Sequence, residues 1–279
     1  MHLGPRGTYT EAAAIAYDPT AELLPQPTVA AAVQAVEDGG ADAAVCAVEN
    51  SLEGGVTDTL DQLLRDGASL LIDGEVVLPI RHALVGPPGT DPTQATVVYS
   101  HPQALAQCRR RLTVLAPAAE PAAALSTAAA IEQAMAVRGS VAVGNALAAR
   151  LYGATVYVDD IGDEPGNQTR FVVLARRDHA PTGDDKTSLA FTTQHDRSGS
   201  LMEVLRELSG RDINLTHIES RPTRRQLGTY VFLLDFHGHR TDAVVAEALQ
   251  RIEELTLWLR VLGSYPRWTT AADSDAGDA

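Results

Sequence analysis

The feature that most constrains this chain is a change of pattern near residue 180. Before it, short apolar runs alternate with segments whose apolar residues recur at helical spacing. After it, the order is strand, helix, strand, strand, helix, strand. The first pattern predicts a parallel sheet with helices on both faces; the second is the ferredoxin-like order. Residues 177–186 are polar, lack periodicity and read as a linker. The expected fold class is therefore α/β: a two-lobed region at 1–176, then a βαββαβ domain at 187–265. Residues 266–279, with Asp273, Asp275 and Asp278, read as a disordered acidic tail.

Within the first region, Gly4-Pro5-Arg6-Gly7 is a turn and Thr8-Tyr9-Thr10-Glu11 a capping box opening a helix to about Tyr17. Free N–H groups at such a helix start suit a carboxylate or phosphate. Ala43–Val48 reads as a buried strand, with Asn50 and Ser51 beyond its carboxyl end, where open α/β sheets bind ligands. Extended segments at 70–78 lead into 79–85, the expected crossing to a second lobe. Thr96–Tyr99 is a strand there, and Ser100-His101-Pro102-Gln103 opens a helix to about Arg111. Ala122–Leu125 and Ser140–Val143 read as further strands. The polar loop Asp159–Gly166 then gives way to Asn167-Gln168-Thr169-Arg170-Phe171 and a buried strand, Phe171–Ala175, with the return crossing near 160–171. A hydroxyl, a guanidinium and an aromatic ring thus stand where loop becomes strand, a common setting for binding and catalytic groups. Read alone, the same residues also fit a strand entry with a locally bonded Thr169 and a solvated Arg170.

Composition excludes several classes. The formal net charge of −14 repels nucleic acid and anionic membrane, so the basic cluster Arg221, Arg224, Arg225 reads as a solvated hairpin. No uncharged apolar run approaches the roughly 18 residues of a membrane span, and no secretory signal is visible. Cys46 and Cys108 are too few and too far apart for a disulfide framework. These features predict a cytoplasmic protein. His237-Gly238-His239 lacks further ligands at convincing spacing, so no metal site is expected.

Several segments, in order, resemble the prephenate dehydratase family: Gly4-Pro5-Arg6-Gly7-Thr8-Tyr9-Thr10, Val48-Glu49-Asn50-Ser51-Leu52-Glu53-Gly54, Ser100-His101-Pro102-Gln103-Ala104-Leu105-Ala106-Gln107-Cys108 and Asn167–Phe171. Ile213–Pro222 and Leu262–Pro266 continue the match into the second domain. The resemblance implies a bilobed catalytic domain, like a periplasmic binding protein, joined to an ACT regulatory domain. It implies conversion of prephenate to phenylpyruvate, carbon dioxide and water in phenylalanine synthesis, with no metal or organic cofactor. The family's essential threonine falls on Thr169, with Arg170 and Phe171 beside it as catalytic candidates. Thr8, Asn50, Ser51, Ser100, His101 and Gln103 are the substrate-binding candidates. L-phenylalanine is the implied effector, bound between paired ACT domains of a homodimer or homotetramer. Its candidates are the turn Gly199-Ser200-Leu201-Met202, which departs from the family's Gly-Ala-Leu-Val, together with Asn214, Leu215, Thr216, Glu219, Ser220, Arg221 and Pro222.

Aromatisation drives the implied elimination, so the protein has chiefly to orient the substrate and help a hydroxyl leave. A threonine is too weak an acid for full proton transfer without a neighbouring donor; a hydrogen bond that strengthens as the oxygen gains charge, or a relayed proton, is the expected role. Two other readings remain at this stage: arogenate dehydratase, the same elimination on the amino analogue, and a non-catalytic sensor of small anions and amino acids.

Overall fold

The computed structural model describes residues 1–194, 198–223 and 229–269. The chain begins with β1 (His2–Leu3), α1 (Tyr9–Tyr17), β2 (Pro25–Gln26), α2 (Val29–Glu37), β3 (Ala43–Asn50), β4 (Gly54–Gly55), α3 (Thr57–Leu64) and β5 (Leu71–Pro79). It continues through β6 (Ala83–Gly86), β7 (Val97–Ser100), α4 (Pro102–Gln107), α5 (Arg109–Leu115), β8 (Glu120–Ala123), α6 (Thr127–Ala136), β9 (Ser140–Gly144), α7 (Ala146–Tyr152) and β10 (Thr155–Val158). The last elements are β11 (Gln168–Ala175), β12 (Asp185–Thr193), α8 (Ser200–Ser209), β13 (Leu215–Pro222), β14 (Tyr230–His237), α9 (Ala243–Leu255) and β15 (Thr256–Pro266).

Three sheets result, with strand orders β2-β1-β3-β11-β5 (β4 pairing on β3), β10-β6-β9-β7-β8 and β13-β14-β12-β15. The chain leaves the first sheet after Pro79 and returns to it at Gln168. Contrary to the alternation argument, the first two sheets are mixed. β1 pairs in parallel with β2 and β3, and β7 with β8 and β9, but β6 is antiparallel to both β9 and β10. Strand β6 arrives from another sheet rather than through a crossover helix, so nothing obliges it to run parallel. Strand β10, half-exposed and at the edge, carries too weak an apolar signal to be anticipated.

Packing positions the second sheet firmly. Strand β9 is buried along its whole length. Ala142 faces a cluster with Ala83, Val85, Ile131 and Ala148, while Val141 and Val143 face another with Leu84, Val98, Leu112 and Ile161. Burial on both faces explains its unbroken apolar run. The helix expected from Pro102 to Arg111 breaks at Cys108, because the Asp163 carboxylate accepts from the backbone N–H groups of Arg110 and Arg111 and caps a new helix there. The strand expected at Ala122–Leu125 is Glu120–Ala123 instead. Pairing with Val97–Ser100 sets that register, and Ser126 caps α6, which leaves Leu125 94% exposed in the turn.

The chain divides into two compact units, one of residues 1–35, 45–56 and 77–171, the other of 36–44, 57–76 and 172 onward. In the second unit, β12 to β15 with α8 and α9 form the ferredoxin-like order, all antiparallel. Its core joins Leu189, Phe191, Leu234 and Phe236 to Val204, Leu208, Val245 and Ile252. The polar linker is not loose: Asp178 accepts from Arg240 and from the Ser264 N–H, and Asp185 accepts from Thr182 and Gly183. At the start of the expected tail, β15 pairs through Pro266 and the Trp268 N–H donates to Glu75. Residues 270–279, and Arg224, Arg225, Gln226 and Gly228 of the hairpin, lie outside the described residues. Lys186 pairs with buried Glu75 at 2.7 Å, and Arg260 donates to the carbonyls of Leu63 and Arg65 at the end of α3. Gly263 adopts φ +149, and a Cβ there would collide with the Ile72 backbone.

Candidate active site

In the first unit, β3 ends at Asn50 and β11 begins at Gln168, and the two ends are stitched together. The Ser51 N–H donates to the Gln168 carbonyl at 2.9 Å, and the Gln168 N–H donates to the Ser51 hydroxyl at 2.9 Å. Asn50 is the hub. Its carbonyl oxygen accepts from the N–H groups of Leu52 and Glu53, both at 3.1 Å, which fixes which way its amide points. The amide nitrogen then donates to Asn167 Oδ1 at 2.7 Å, to the Gln168 carbonyl at 3.0 Å and to Thr169 Oγ1 at 2.9 Å. Thr169 is 8% exposed. Since its oxygen accepts from Asn50, its own proton remains available for an acceptor outside this network.

The network runs further. Asn167 Nδ2 donates to Gln107 Oε1 at 3.0 Å, and Gln107 Nε2 donates to Glu53 at 3.1 Å. Every amide is oriented by its neighbours, and donation diverges from Asn50: one bond runs to the Thr169 hydroxyl, and another branch runs through Asn167 and Gln107 to end on the Glu53 carboxylate. Gln107 also lines a recess of about 270 Å³ with Leu52, Arg109 and Asp163. Neither Gln107 nor Asn167 was singled out as a site residue from the sequence. Both lie inside the matched segments, and an amide is too common a residue type to stand out without its partners.

The other candidates are placed differently. Arg170 faces away from Thr169, as strand alternation requires, and pairs with Glu49 at 3.2 Å. Phe171 shares the Thr169 side and is buried at 1% exposure. Thr8 caps α1, accepting from the Glu11 N–H and donating to the Leu3 carbonyl. The Glu11 carboxylate accepts from the Gly7 N–H. Two of the donors at this helix start, the Gly7 and Glu11 N–H groups, are therefore taken by the protein's own side chains. Ser100 is fully buried and donates to the Val143 carbonyl at 2.7 Å. His101 precedes α4 without a side-chain capping bond, and Gln103 is exposed. Burial holds His82 in its neutral form, with its pKa below the usual imidazole value, and pushes the Cys108 thiol up to about 12.

In the second unit, Gly199 precedes α8 at φ +93, a conformation that favours glycine. A separate apolar recess of about 420 Å³ is lined by Met202, Leu205, Ile213, Asn214 and Leu215, among others. Thr216, Glu219 and Ser220 lie along β13, and Pro222 ends it. Arg221 of that strand pairs with Asp61 of α3 at 2.9 Å. Near the strand ends, both ring nitrogens of His239 are engaged, Nδ1 with Thr241 and Nε2 with the His179 carbonyl.

Comparison with known proteins bears on both parts. A family model described as prephenate dehydratase matches residues 1–179, and one described as ACT domain matches residues 187–254. The chain is 42% identical over 282 residues to the prephenate dehydratase of Mycolicibacterium vanbaalenii, covering 95% of this chain and 90% of that one. Among solved structures, prephenate dehydratase from Arthrobacter aurescens in complex with L-Phe superposes with a TM-score of 0.86 at 38% identity, covering 99% of this chain and 94% of that one. GqqA, described as a novel type of quorum quenching acylase, superposes with a TM-score of 0.85 at 33% identity, covering 96% of this chain and 97% of that one. No helix among the described residues is long and apolar enough to cross a membrane. The chain belongs to the prephenate dehydratase family of hydro-lyases, and an ACT domain follows its catalytic region.

Proposed function

We propose that Thr169 is the group that assists the departing hydroxyl of prephenate. In the reaction, the electron pair of the bond to the ring carboxylate moves into the ring as carbon dioxide leaves. The ring π system shifts and expels the hydroxyl at the opposite carbon, leaving phenylpyruvate. The oxygen departs with its bonding pair and takes up a proton to become water. The observation that carries this reading is the bond from Asn50 to Thr169 Oγ1. A hydroxyl whose oxygen already accepts a bond is a better donor, because hydrogen bonds in series polarise one another. Its bond to the leaving oxygen strengthens as charge develops there, which lowers the barrier rather than only tightening binding.

Phe171 forms apolar wall beneath the reacting ring in this reading. Arg170 orients β11 through Glu49 rather than clamping a carboxylate. Ser51, His101 and Gln103 are the polar groups proposed for the substrate carboxylates; Thr8 and Ser100 hold the backbone around them. An acylase chemistry would need a base to take the proton of a nucleophile. Asn50 offers Thr169 a donor, which favours dehydration over that alternative.

L-phenylalanine is the proposed effector. The Arthrobacter aurescens structure was solved with L-Phe, and the recess bordered by Met202, Asn214 and Leu215 has the apolar character an aromatic side chain needs. Gly199–Met202 and Glu219–Pro222 are the proposed contacts, shared between ACT domains of a homodimer or homotetramer in the cytoplasm.

Purified protein supplied with prephenate is expected to yield phenylpyruvate. Thr169→Val keeps the shape without the hydroxyl and is expected to lose at least about 10²-fold in kcat, whereas Thr169→Ser keeps most of it. A Thr169→Val enzyme that folds and turns over normally rejects the role. Arogenate as a parallel substrate, and binding of prephenate without turnover, separate the two competing functions.

A further inference from the structure

We propose that His82 is a positioning residue for the elimination: as the Nε2–H tautomer it locks the Gln107 amide, and through it Asn167, Asn50 and Thr169. The inference rests on the reading of Thr169 given above.

The segment between β5 and β6 carries the argument. His82 Nε2 lies 2.9 Å from Gln107 Oε1. That oxygen can only accept, since Gln107 Nε2 is turned to the Glu53 carboxylate. His82 must therefore carry its proton on Nε2. Its other nitrogen, Nδ1, is left as a bare lone pair, buried and without a partner among the described residues. The residue is 4% exposed. An apolar side chain would fill this site without burying an unmatched nitrogen, so a histidine here calls for a role beyond packing.

The backbone around it supplies the rigidity. Tyr9 packs edge-on against the imidazole at 6.0 Å, and its hydroxyl donates to the Arg81 carbonyl. The Ile161 N–H donates to the His82 carbonyl at 2.7 Å. Two residues earlier, the Ile80 N–H donates to the Asn167 carbonyl at 2.8 Å. Residues 80–82 thus hold Asn167 twice, directly through its backbone and indirectly through His82 and Gln107. Without His82, the Gln107 oxygen keeps one donor and gains freedom to rotate, and the Asn167 amide that accepts from Asn50 beside Thr169 loses its fixed position. A displaced catalytic group lowers the rate far more than it lowers binding.

The test uses the full chain and three substitutions. In glutamine, Nε2 reaches about as far as Nε2 of histidine; in asparagine it falls short. His82→Leu and His82→Asn are expected to lower kcat about tenfold with KM within about twofold, and His82→Gln to restore kcat to within about threefold of the parent. A role in packing alone predicts no such rescue. Equal loss in His82→Leu and His82→Gln, or full kcat in His82→Leu, overturns the proposal. Nitrogen-15 NMR of the imidazole gives a readout independent of turnover: the parent should show the Nε2–H tautomer, and Gln107→Leu should remove that preference. An Nδ1–H tautomer in the parent overturns the proposal whatever the kinetics. If the parent shows Nε2–H but does not turn over prephenate, the substrate assignment fails while the hold of His82 on Gln107 stands.

Discussion

Asn50 donates to the hydroxyl oxygen of Thr169 across 2.9 Å, although 119 positions separate them in the chain. The same amide nitrogen reaches Asn167, and its carbonyl oxygen is held by two backbone N–H groups of the following turn. Asn50 therefore joins the loop after β3 to the start of β11 and sets the direction of the hydrogen bond at Thr169.

Replacing that amide with a carboxylate reverses the direction. Asn50→Asp turns the donor facing Thr169 into an acceptor, which would draw the threonine proton away from the substrate. We expect kcat to fall by about 10²-fold or more, with a smaller change in KM. Steady-state kinetics on prephenate check this, and an Asn50→Asp enzyme with parental kcat contradicts it.

Arg170 and Glu49 are expected to contribute to stability rather than to the chemical step. Their contact is 3.2 Å, with Arg170 at 12% and Glu49 at 34% side-chain exposure. Arg170→Ala should lower unfolding free energy by about 1–2 kcal/mol, less than for a fully buried pair because Glu49 is partly hydrated. Urea unfolding of both single variants and the double variant measures their coupling. A large loss of kcat in Arg170→Lys without loss of stability would instead place Arg170 at the substrate.

Lys186 and Glu75 form the more deeply buried pair, with Glu75 only 2% exposed on its side chain. Lys186→Met removes the charged partner of a buried carboxylate that also accepts from the Trp268 N–H, and should cost about 3 kcal/mol. Adding Glu75→Leu should recover much of that loss. Thermal denaturation distinguishes the outcomes, and a double variant no better than Lys186→Met would contradict the account.

Buried histidines set the acid side of the stability profile. Burial lowers the pKa of His2 and of His82. In the unfolded chain each titrates near about 6.5, and in the folded chain each resists protonation. The unfolded state thus binds more protons as pH falls below that value. The contribution to stability is full above the unfolded pKa and declines as pH drops through the window beneath it. Glu37 and Asp185 have lowered carboxyl pKa values, so their contribution is present above about 4 and lost only below it. Between those ranges the slope belongs to the histidines. His2→Phe should flatten the dependence of Tm on pH between 7 and 5, and an unchanged slope would exclude His2 from it.

Periodicity and punctuation in the sequence determined the order of the longer elements, because burial and capping leave local marks, whereas the short strands β2, β4 and β10 leave none. The Ser126 and Asn145 caps, the apolar run of β9 and the strand at Phe171–Ala175 are all local. Segment composition placed Thr169 and Asn50 at strand ends, and the resemblance brought them to one reaction. Only the tertiary structure decided that Asn50 meets Thr169 rather than solvent, and that Gln107 and Asn167 stand between them and His82. It also turned β6 antiparallel, broke the helix at Cys108, and took Thr8 and Ser100 into backbone bonds. The reason is physical. Hydrophobic spacing is written residue by residue, whereas a side-chain amide or hydroxyl has no fixed partner until remote segments pack and water is removed.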